Sequence, residues 1–398
     1  MKKITALADC NNFFVSCEML RNPSLKGQPV CVLSNCDGCV VSRSNEAKKL
    51  GIPMGIPLFM AKKQFPKVVY LSGDLKYYHQ ISKRVQAVLK DFSPKIEVCS
   101  IDEAFLDVTD LHKVYGTYGT GGYEELAKML HKLLLESTGI PVSIGIANSK
   151  ILCKIAADKA KHSISYYFIP FEKIEQEIFD YSIEKIWGIG KNTASLLKSH
   201  GIYTAGDILK KDKEFFQHFL GKRGLELKFG LQGEDVMPVD GEFIKPKSIQ
   251  KTSSFKTFTN DKSFLKNCIL EHLHNACRKM RKYNLSTTEI TVMLRSKDFR
   301  ILSATDVIEN PTNAEYLLNK KVIELFNQIY SPNILYRSSG VYVGGFKDED
   351  AKQLLLFNDT VKFEKISKIW DKIEEKHGRG IFSIGDCRNL INLTAAQP

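Results

Sequence analysis

Two periods of apolar residues organise the first part of the chain. Ile4, Ala6 and Ala8 alternate in front of Asp9, the period of two that predicts a strand. Val98, Ile101, Ala104 and Leu106 surround Asp102 and Glu103 in a predicted hairpin from Lys95 to Val108. Between these strands, residues 11–76 read as a compact mixed unit. It holds a short helix over Phe13–Leu20, a strand over Pro29–Ser34, and a short helix within Ser42–Gly51, where Ser and Gly bracket it. Helical spacing of Ile81, Val85, Val88 and Leu89 predicts a helix over Tyr77–Asp91, and a second amphipathic helix covers Tyr123–Glu136. Val142–Ala147 reads as a buried strand, after which Asn148 is expected to cap a helix, SKILCKIAADKAK. Strands with crossing helices predict an α/β sheet, with residues 11–76 inserted after its first strand.

The pattern changes twice further on. From Ile183 to Lys210, two helices joined by Gly188-Ile189-Gly190 are expected, the form of a helix-hairpin-helix. Glycines there let backbone N–H groups approach a nucleic-acid phosphate, and Lys191 follows directly. An ordinary αα turn is the alternative. Beyond a linker over Met237–Pro246, strand (Ile249–Phe258), helix (Lys262–Tyr283), strand (Glu289–Leu294), strand (Ile301–Val307), helix (Asn313–Ile329) and strand (Gly340–Phe346) predict a β-α-β-β-α-β domain. A charged tail follows, with QLLLF at Gln353–Phe357 and a helix expected around Glu364–Lys376. QLLLF reads either as a last packed strand or as a peptide that docks in a partner's apolar groove.

At 398 residues, with 43% hydrophobic and 26% charged residues, the chain is expected to be a soluble protein of several domains. Asp9 interrupts the initial apolar run too early for a signal peptide, and no run of about 18 apolar residues occurs. A cytoplasmic protein with no membrane partner is therefore expected. Net charge is +12, and its distribution is informative. Residues 245–347 carry 17 Lys+Arg against 8 Asp+Glu (+9), while residues 166–244 carry 10 against 13 (−3). A concentrated excess suits a surface that tracks phosphates. Lys279, Arg281 and Lys282 crowd one helix end there, and Arg295, Lys297 and Arg300 surround a hairpin. The ten cysteines show no disulfide framework. Cys36 and Cys39, with Cys31 nearby, lack a second pair to close a zinc site and are read as small buried hydrophobes.

Asp9, Asp102 and Glu103 carry the candidate chemistry. Carboxylates at strand ends are costly to bury unpaired. Drawn together they make an all-oxygen site suited to Mg²⁺, which prefers hard ligands and substrate phosphates. Adjacent residues on a regular strand point to opposite faces, so Asp102 and Glu103 can serve one site only if the strand turns or bulges there.

DCNNFFVSCE, LSNCDGCVVSRSNEAKKLGIPMG, SIDEAFLDV, GIANSKILCKIAADKAK, the WGIG hairpin and QLLLF, in this order, resemble the Y-family DNA polymerases, and among them the bacterial UmuC type. The resemblance runs from Ile4 to about Phe357. It implies a multidomain α/β and α+β right hand. The palm would take residues 1–10 and 77–165, the fingers 11–76, the thumb 166–236, a linker 237–247, the little finger 248–347, and a tail 348–398. It implies translesion synthesis: template-directed addition of deoxynucleotides across damaged bases, with low fidelity, no proofreading domain, and two Mg²⁺ ions. By resemblance, Asp9 and Asp102 bridge the ions, Glu103 is the primer-side ligand, and Cys10 offers a main-chain carbonyl. Phe14 matches the steric gate, with Phe13 the neighbouring ring beneath the sugar. Lys48 and Lys161 match cations on the triphosphate, with Ser42 a weaker contact. Gly188, Gly190, Lys191, Arg295, Lys297 and Arg300 are the expected DNA contacts.

Gln353, Leu354, Leu356 and Phe357 match a sliding-clamp peptide, although Leu355 stands where Ser or Asp is frequent. Expected partners are primer–template DNA, deoxynucleoside triphosphates and the clamp. The UmuC type can also require a small processed UmuD-like protein and a recombinase filament. Asn45 stands where relatives outside this type have a phosphate-contacting Tyr, and Lys48 replaces an Arg, a point charge for a bidentate fork. Two other readings share the fold: a catalytically silent, clamp-recruited DNA-binding scaffold, and a nucleotidyl cyclase or small-molecule nucleotidyltransferase. The three acids speak against the first; the hairpin and the +9 segment speak against the second.

Overall fold

The computed structural model describes residues 3–116, 122–241, 245–349 and 360–378. The chain divides into two compact units, Met1–Glu242 and Phe243–Pro398.

In the first unit, β1 (Thr5–Cys10) leads into α1 (Phe13–Arg21). The inserted segment follows, with β2 (Val30–Leu33), β3 (Val40–Arg43), α2 (Asn45–Lys49), α3 (Leu58–Gln64) and β4 (Val69–Ser72). The chain then returns through α4 (Leu75–Phe92), β5 (Ile96–Val98), β6 (Glu103–Asp107), α5 (Leu111–Val114), α6 (Gly122–Thr138), β7 (Val142–Ala147), α7 (Lys150–Lys161) and β8 (Tyr166–Phe168). The main sheet has the order β5-β6-β1-β7-β8, and the inserted segment makes a separate sheet, β3-β2-β4.

Alternation along β1 divides the core between the two faces of the main sheet. Ala6, Ala8 and Cys10 join Leu89, Leu130 and Leu134 from α4 and α6. Leu7 and Phe105 join Ile151, Leu152 and Ile155 from α7. That helix can lie close because Gly145 has no side chain: a Cβ there would meet the Ala157 backbone nitrogen at 2.3 Å. Ser149, not Asn148, caps α7, accepting from the Leu152 N–H at 3.2 Å, while Asn148 donates to the Lys3 carbonyl.

The α7-side core continues into α8 (Ile174–Ile178), α9 (Lys191–Ser199), α10 (Ala205–Lys210) and α11 (Lys213–Leu231) through Ile178, Ile186, Leu197, Ile208 and Phe216. The expected first helix of the hairpin is only a 3₁₀ turn, Ile183–Lys185. Ser182 starts it and Gly188 follows so soon that no longer helix can form.

The second unit has the predicted order: β9 (Ile249–Thr259), α12 (Lys262–Lys282), β10 (Leu285–Ser296), β11 (Ile301–Thr312), α13 (Glu315–Ile329) and β12 (Tyr336–Gly344). Its sheet is β11-β10-β12-β9, antiparallel throughout. Leu273, Ala276, Val322 and Phe326 from the two helices pack on Ile290, Val292, Val341 and Val343. A tail helix, α14 (Thr360–His377), also belongs to this unit.

Inside this core, His272 is 7% exposed, with Nε2 3.2 Å from the Ser253 hydroxyl and 3.1 Å from that of Ser339. Burial, with Lys251 second, pulls its imidazole down to about 4 from 6.5. The unfolded chain therefore binds more protons than the folded chain between those values, and stability falls as pH drops through that window. We expect His272 to account for about 2 kcal/mol of stability lost between pH 7 and pH 5. Parallel urea titrations of the His272→Gln protein should show a pH loss smaller by that amount. No helix among the described residues is long and apolar enough to cross a membrane.

Candidate active site

The register of the main sheet assembles the acids. β1 runs antiparallel to β6 with Asp9 directly opposite Glu103, and residues opposite each other share a face. Both lie on the α7 side with Leu7 and Phe105. Asp102 precedes the first residue of β6, where the chain bends. The Cys99 and Ser100 N–H groups both donate to the Glu103 carbonyl, at 3.1 and 3.3 Å, closing that bend. The Cys10 N–H donates to the Asp102 carbonyl at 2.8 Å, and the Ser100 hydroxyl donates to Asp102 Oδ1 at 2.5 Å. The turn demanded by two adjacent acids is therefore present, and Asp102 is not bound to strand geometry.

Lysines from α7 face the acids. Lys161 Nζ lies 2.9 Å from Asp9 Oδ1, and Lys154 Nζ is hydrogen-bonded to Glu103 Oε2. Burial pushes the Asp9 carboxyl up; Lys161 and Lys154 pull it down, Asp102 adds to the rise, and the net shift is upward. Burial lowers the Lys48 ammonium, Arg43 and Lys161 lower it further, and Asp9 opposes them. Lys48, Lys161 and Asp9 therefore share one electrostatic neighbourhood. Among the described residues no three His, Cys, Asp or Glu side chains form a ready metal-ligand group. The side chains of Asp9, Asp102 and Glu103 nonetheless offer only oxygen, the donor type that a hard divalent cation prefers.

Phe13 is buried in the core, whereas Phe14 is partly buried and its ring stacks on Tyr78, centroids 4.6 Å apart. Ser42 is buried; its hydroxyl donates to the Asn12 carbonyl at 3.3 Å and accepts from the Val15 N–H at 3.4 Å, tying the start of α1 to β3. The Asn45 side chain accepts from Asn12 Nδ2 at 2.9 Å.

In the helical segment, Gly188 has φ +94°, a conformation that favours glycine, and Gly190 caps α9, whose first residue is Lys191. All three are exposed. Arg295, Lys297 and Arg300 are exposed around the β10–β11 turn. Arg281 is different: it is buried between Glu315 and Asp371 and contributes nothing to a basic surface, because its guanidinium is consumed by internal ion pairs. Gln353, Leu354, Leu356 and Phe357 lie outside the described residues. The nine cysteines among the described residues are free thiols, with Cys31 buried and Cys36 and Cys39 partly exposed.

Several participants escape a reading by motif. Lys154 has a sequence signal, since Lys150, Lys154 and Lys161 are spaced by four and seven and fall on one helical face. Lys150 joins Glu97 at 2.6 Å, and Lys154 Nζ also lies 5.7 Å from the Trp187 ring centre beside the hairpin glycines. Arg337, stacked 3.8 Å from the Phe299 ring centre, adds a cation beside Arg295 that only the fold reveals.

Residues 8–158 match the model of the impB/mucB/samB family, and residues 246–356 match that family's C-terminal domain. DNA polymerase IV of Alkaliphilus oremlandii is 31% identical over 395 residues, covering 95% of this chain and 97% of the relative. Protein UmuC of Salmonella typhimurium is 28% identical, covering 94% and 91%. Among solved structures, a Y-family DNA polymerase chimera of Dbh and Dpo4 matches with TM-score 0.72 and 28% identity, over 87% of this chain and 99% of that one. DinB from Sulfolobus solfataricus matches with TM-score 0.57 and 30% identity, over 86% and 98%. The fold is thus the polymerase right hand, with palm, fingers, thumb and little finger. The chain belongs to the Y family of translesion DNA polymerases and is a DNA-directed DNA polymerase. Relatives under both names, DNA polymerase IV and UmuC, align over nearly its whole length.

Proposed function

We propose that the chain extends a primer 3′-OH with deoxynucleotides across damaged template bases, using two Mg²⁺ ions, with low fidelity and no proofreading. The observation that carries this reading is the pairing of Asp9 with Glu103 beside the bend at Asp102. The ions, when bound, lower the pKa of the attacking hydroxyl and neutralise the triphosphate. Asp9, Asp102 and Glu103, with the Cys10 main-chain carbonyl, would hold them, Glu103 serving the primer side. Lys161 and Lys48 neutralise the triphosphate, Phe13 underlies the sugar, and Phe14 excludes a ribose 2′-OH. Gly188, Gly190 and Lys191 in the thumb, with Arg295, Lys297 and Arg300 in the little finger, hold primer–template DNA by its phosphates. The sliding clamp is the partner proposed for Gln353, Leu354, Leu356 and Phe357.

Primer extension on a template with one abasic site tests this reading. Elongation past the site in Mg²⁺ is the expected result; DNA bound without extension would favour the silent scaffold. With Phe14→Ala, ribonucleotide use relative to deoxynucleotide use should rise about tenfold or more, equivalent to about 1.4 kcal/mol of lost discrimination. An unchanged ratio would show that another residue reads the sugar.

A further inference from the structure

Phe14 does not stand alone. Its ring stacks on Tyr78 with an interplanar angle of 17°, and Tyr78 has no exposed surface. The Tyr78 hydroxyl donates to Glu18 Oε1 at 2.7 Å, and Glu18 is 8% exposed. Phe14 and Glu18 are four residues apart on α1, so both meet Tyr78 of α4 from one helical face. Burial, and then the bond to Glu18, push the Tyr78 phenol well above its ordinary range, which keeps it a neutral donor. Nearby, Arg21 joins the same two helices through Asp74 at 2.7 Å, but that pair is exposed at 45% and 41%.

A steric gate rejects a 2′-OH only up to the cost of pushing its ring aside. The firmness of the platform beneath Phe14 therefore limits discrimination as much as the ring does. We infer that Glu18 is a positioning residue for sugar selection: through the Tyr78 hydroxyl it fixes the platform on which Phe14 rests. This rests on reading Phe14 as the gate. Removing the carboxylate leaves a buried phenol without its acceptor, which frees Tyr78 to tilt. Arg21 and Asp74 hold the same helices at the surface, where a pair contributes little.

The test is single-nucleotide insertion by the full chain, with kcat and KM measured for matched ribo- and deoxynucleoside triphosphates. Glu18→Leu and Tyr78→Phe should each raise the ribo/deoxy ratio of kcat/KM about fivefold to tenfold. Their combination should be no worse than either alone, because one bond is lost. Glu18→Gln keeps an acceptor and should stay near wild type, and Arg21→Ala should leave the ratio unchanged. A purely structural role would slow both nucleotides alike and leave the ratio fixed. Should Glu18→Leu fail to fold, Tyr78→Phe, which removes a single oxygen, decides the matter. Phe14→Ala separates the two possible failures. If it relaxes the ratio while Glu18→Leu and Tyr78→Phe do not, the gate stands and Glu18 does not support it. If Phe14→Ala also has no effect, the gate reading itself is wrong.

Discussion

Asp102→Ala should abolish primer extension while leaving DNA binding and folding intact. On the two-metal mechanism proposed above, losing this carboxylate is expected to cost on the order of 10³-fold in rate, about 4 kcal/mol in barrier. Its effect on stability should be small or favourable. Asp102 raises the Asp9 carboxyl, so its negative charge repels that neighbour in the folded chain. Its side-chain hydrogen bond is to Ser100, two residues away in the same bend. Gel extension assays, binding of labelled primer–template and thermal melts on one preparation check the three parts together. Extension at the wild-type rate would remove Asp102 from the mechanism; loss of binding or folding would show that its role is structural.

The largest stability effect is expected at Arg281. Its Nε and Nη2 grip Asp371 of α14 at 2.6 and 2.7 Å, while Nη1 donates to Glu315 at 2.7 Å and to the Asn313 carbonyl at 2.8 Å. Glu315 also holds His274 at 3.0 Å, and the other nitrogen of His274 meets Glu374 at 3.3 Å. Burial alone would raise Glu315, but the hydrogen bond from His274 and the charge of Arg281 hold its carboxyl below the usual range.

Arg281→Met removes the shared cation and leaves Glu315, 2% exposed, poorly compensated. A cost of about 3–5 kcal/mol is expected. Trp370, whose ring centre is 4.8 Å from that of His274, reports locally on this unit. Urea unfolding followed by Trp370 fluorescence in a Trp187→Phe background should show the loss. Pairing Arg281→Met with Glu315→Gln should recover part of it, because the stranded charge is then gone. A midpoint unchanged in Arg281→Met would mean that water already screens the network.

Much of this architecture was legible because its period is strong. Apolar spacing marks Val142–Ala147 at both ends and α12 to within one residue. β10 and β11 extend well beyond their predicted ends, because buried Ser286, Thr287 and Thr312 lie within those strands. Thr287 donates to the Glu289 carbonyl and Thr312 accepts from the Ala314 N–H, and buried polar residues of this kind leave no hydrophobic trace.

The acids were visible as types, but their meeting depends on register between strands some 90 residues apart, which local pattern does not encode. The same limit applies to Lys154 and Tyr78: the spacing of Lys150, Lys154 and Lys161 marks a helical face, but only the fold sets Glu103 opposite Lys154 and Phe14 on Tyr78. Arg281 misled for the converse reason. Its partners Glu315 and Asp371 lie 34 and 90 residues away, so from sequence it looked like free charge.

The rung shared by Asp9 and Glu103 also sets what changes this chain can absorb. Swapping one apolar residue for another within Thr5–Ala8 alters packing by degrees. Inserting or deleting a single residue there turns every later side chain of the strand over, sending Asp9 toward α4 and Ala8 or Cys10 toward the lysines of α7. Drift in composition is tolerable along this strand, whereas drift in length is lethal to the chemistry.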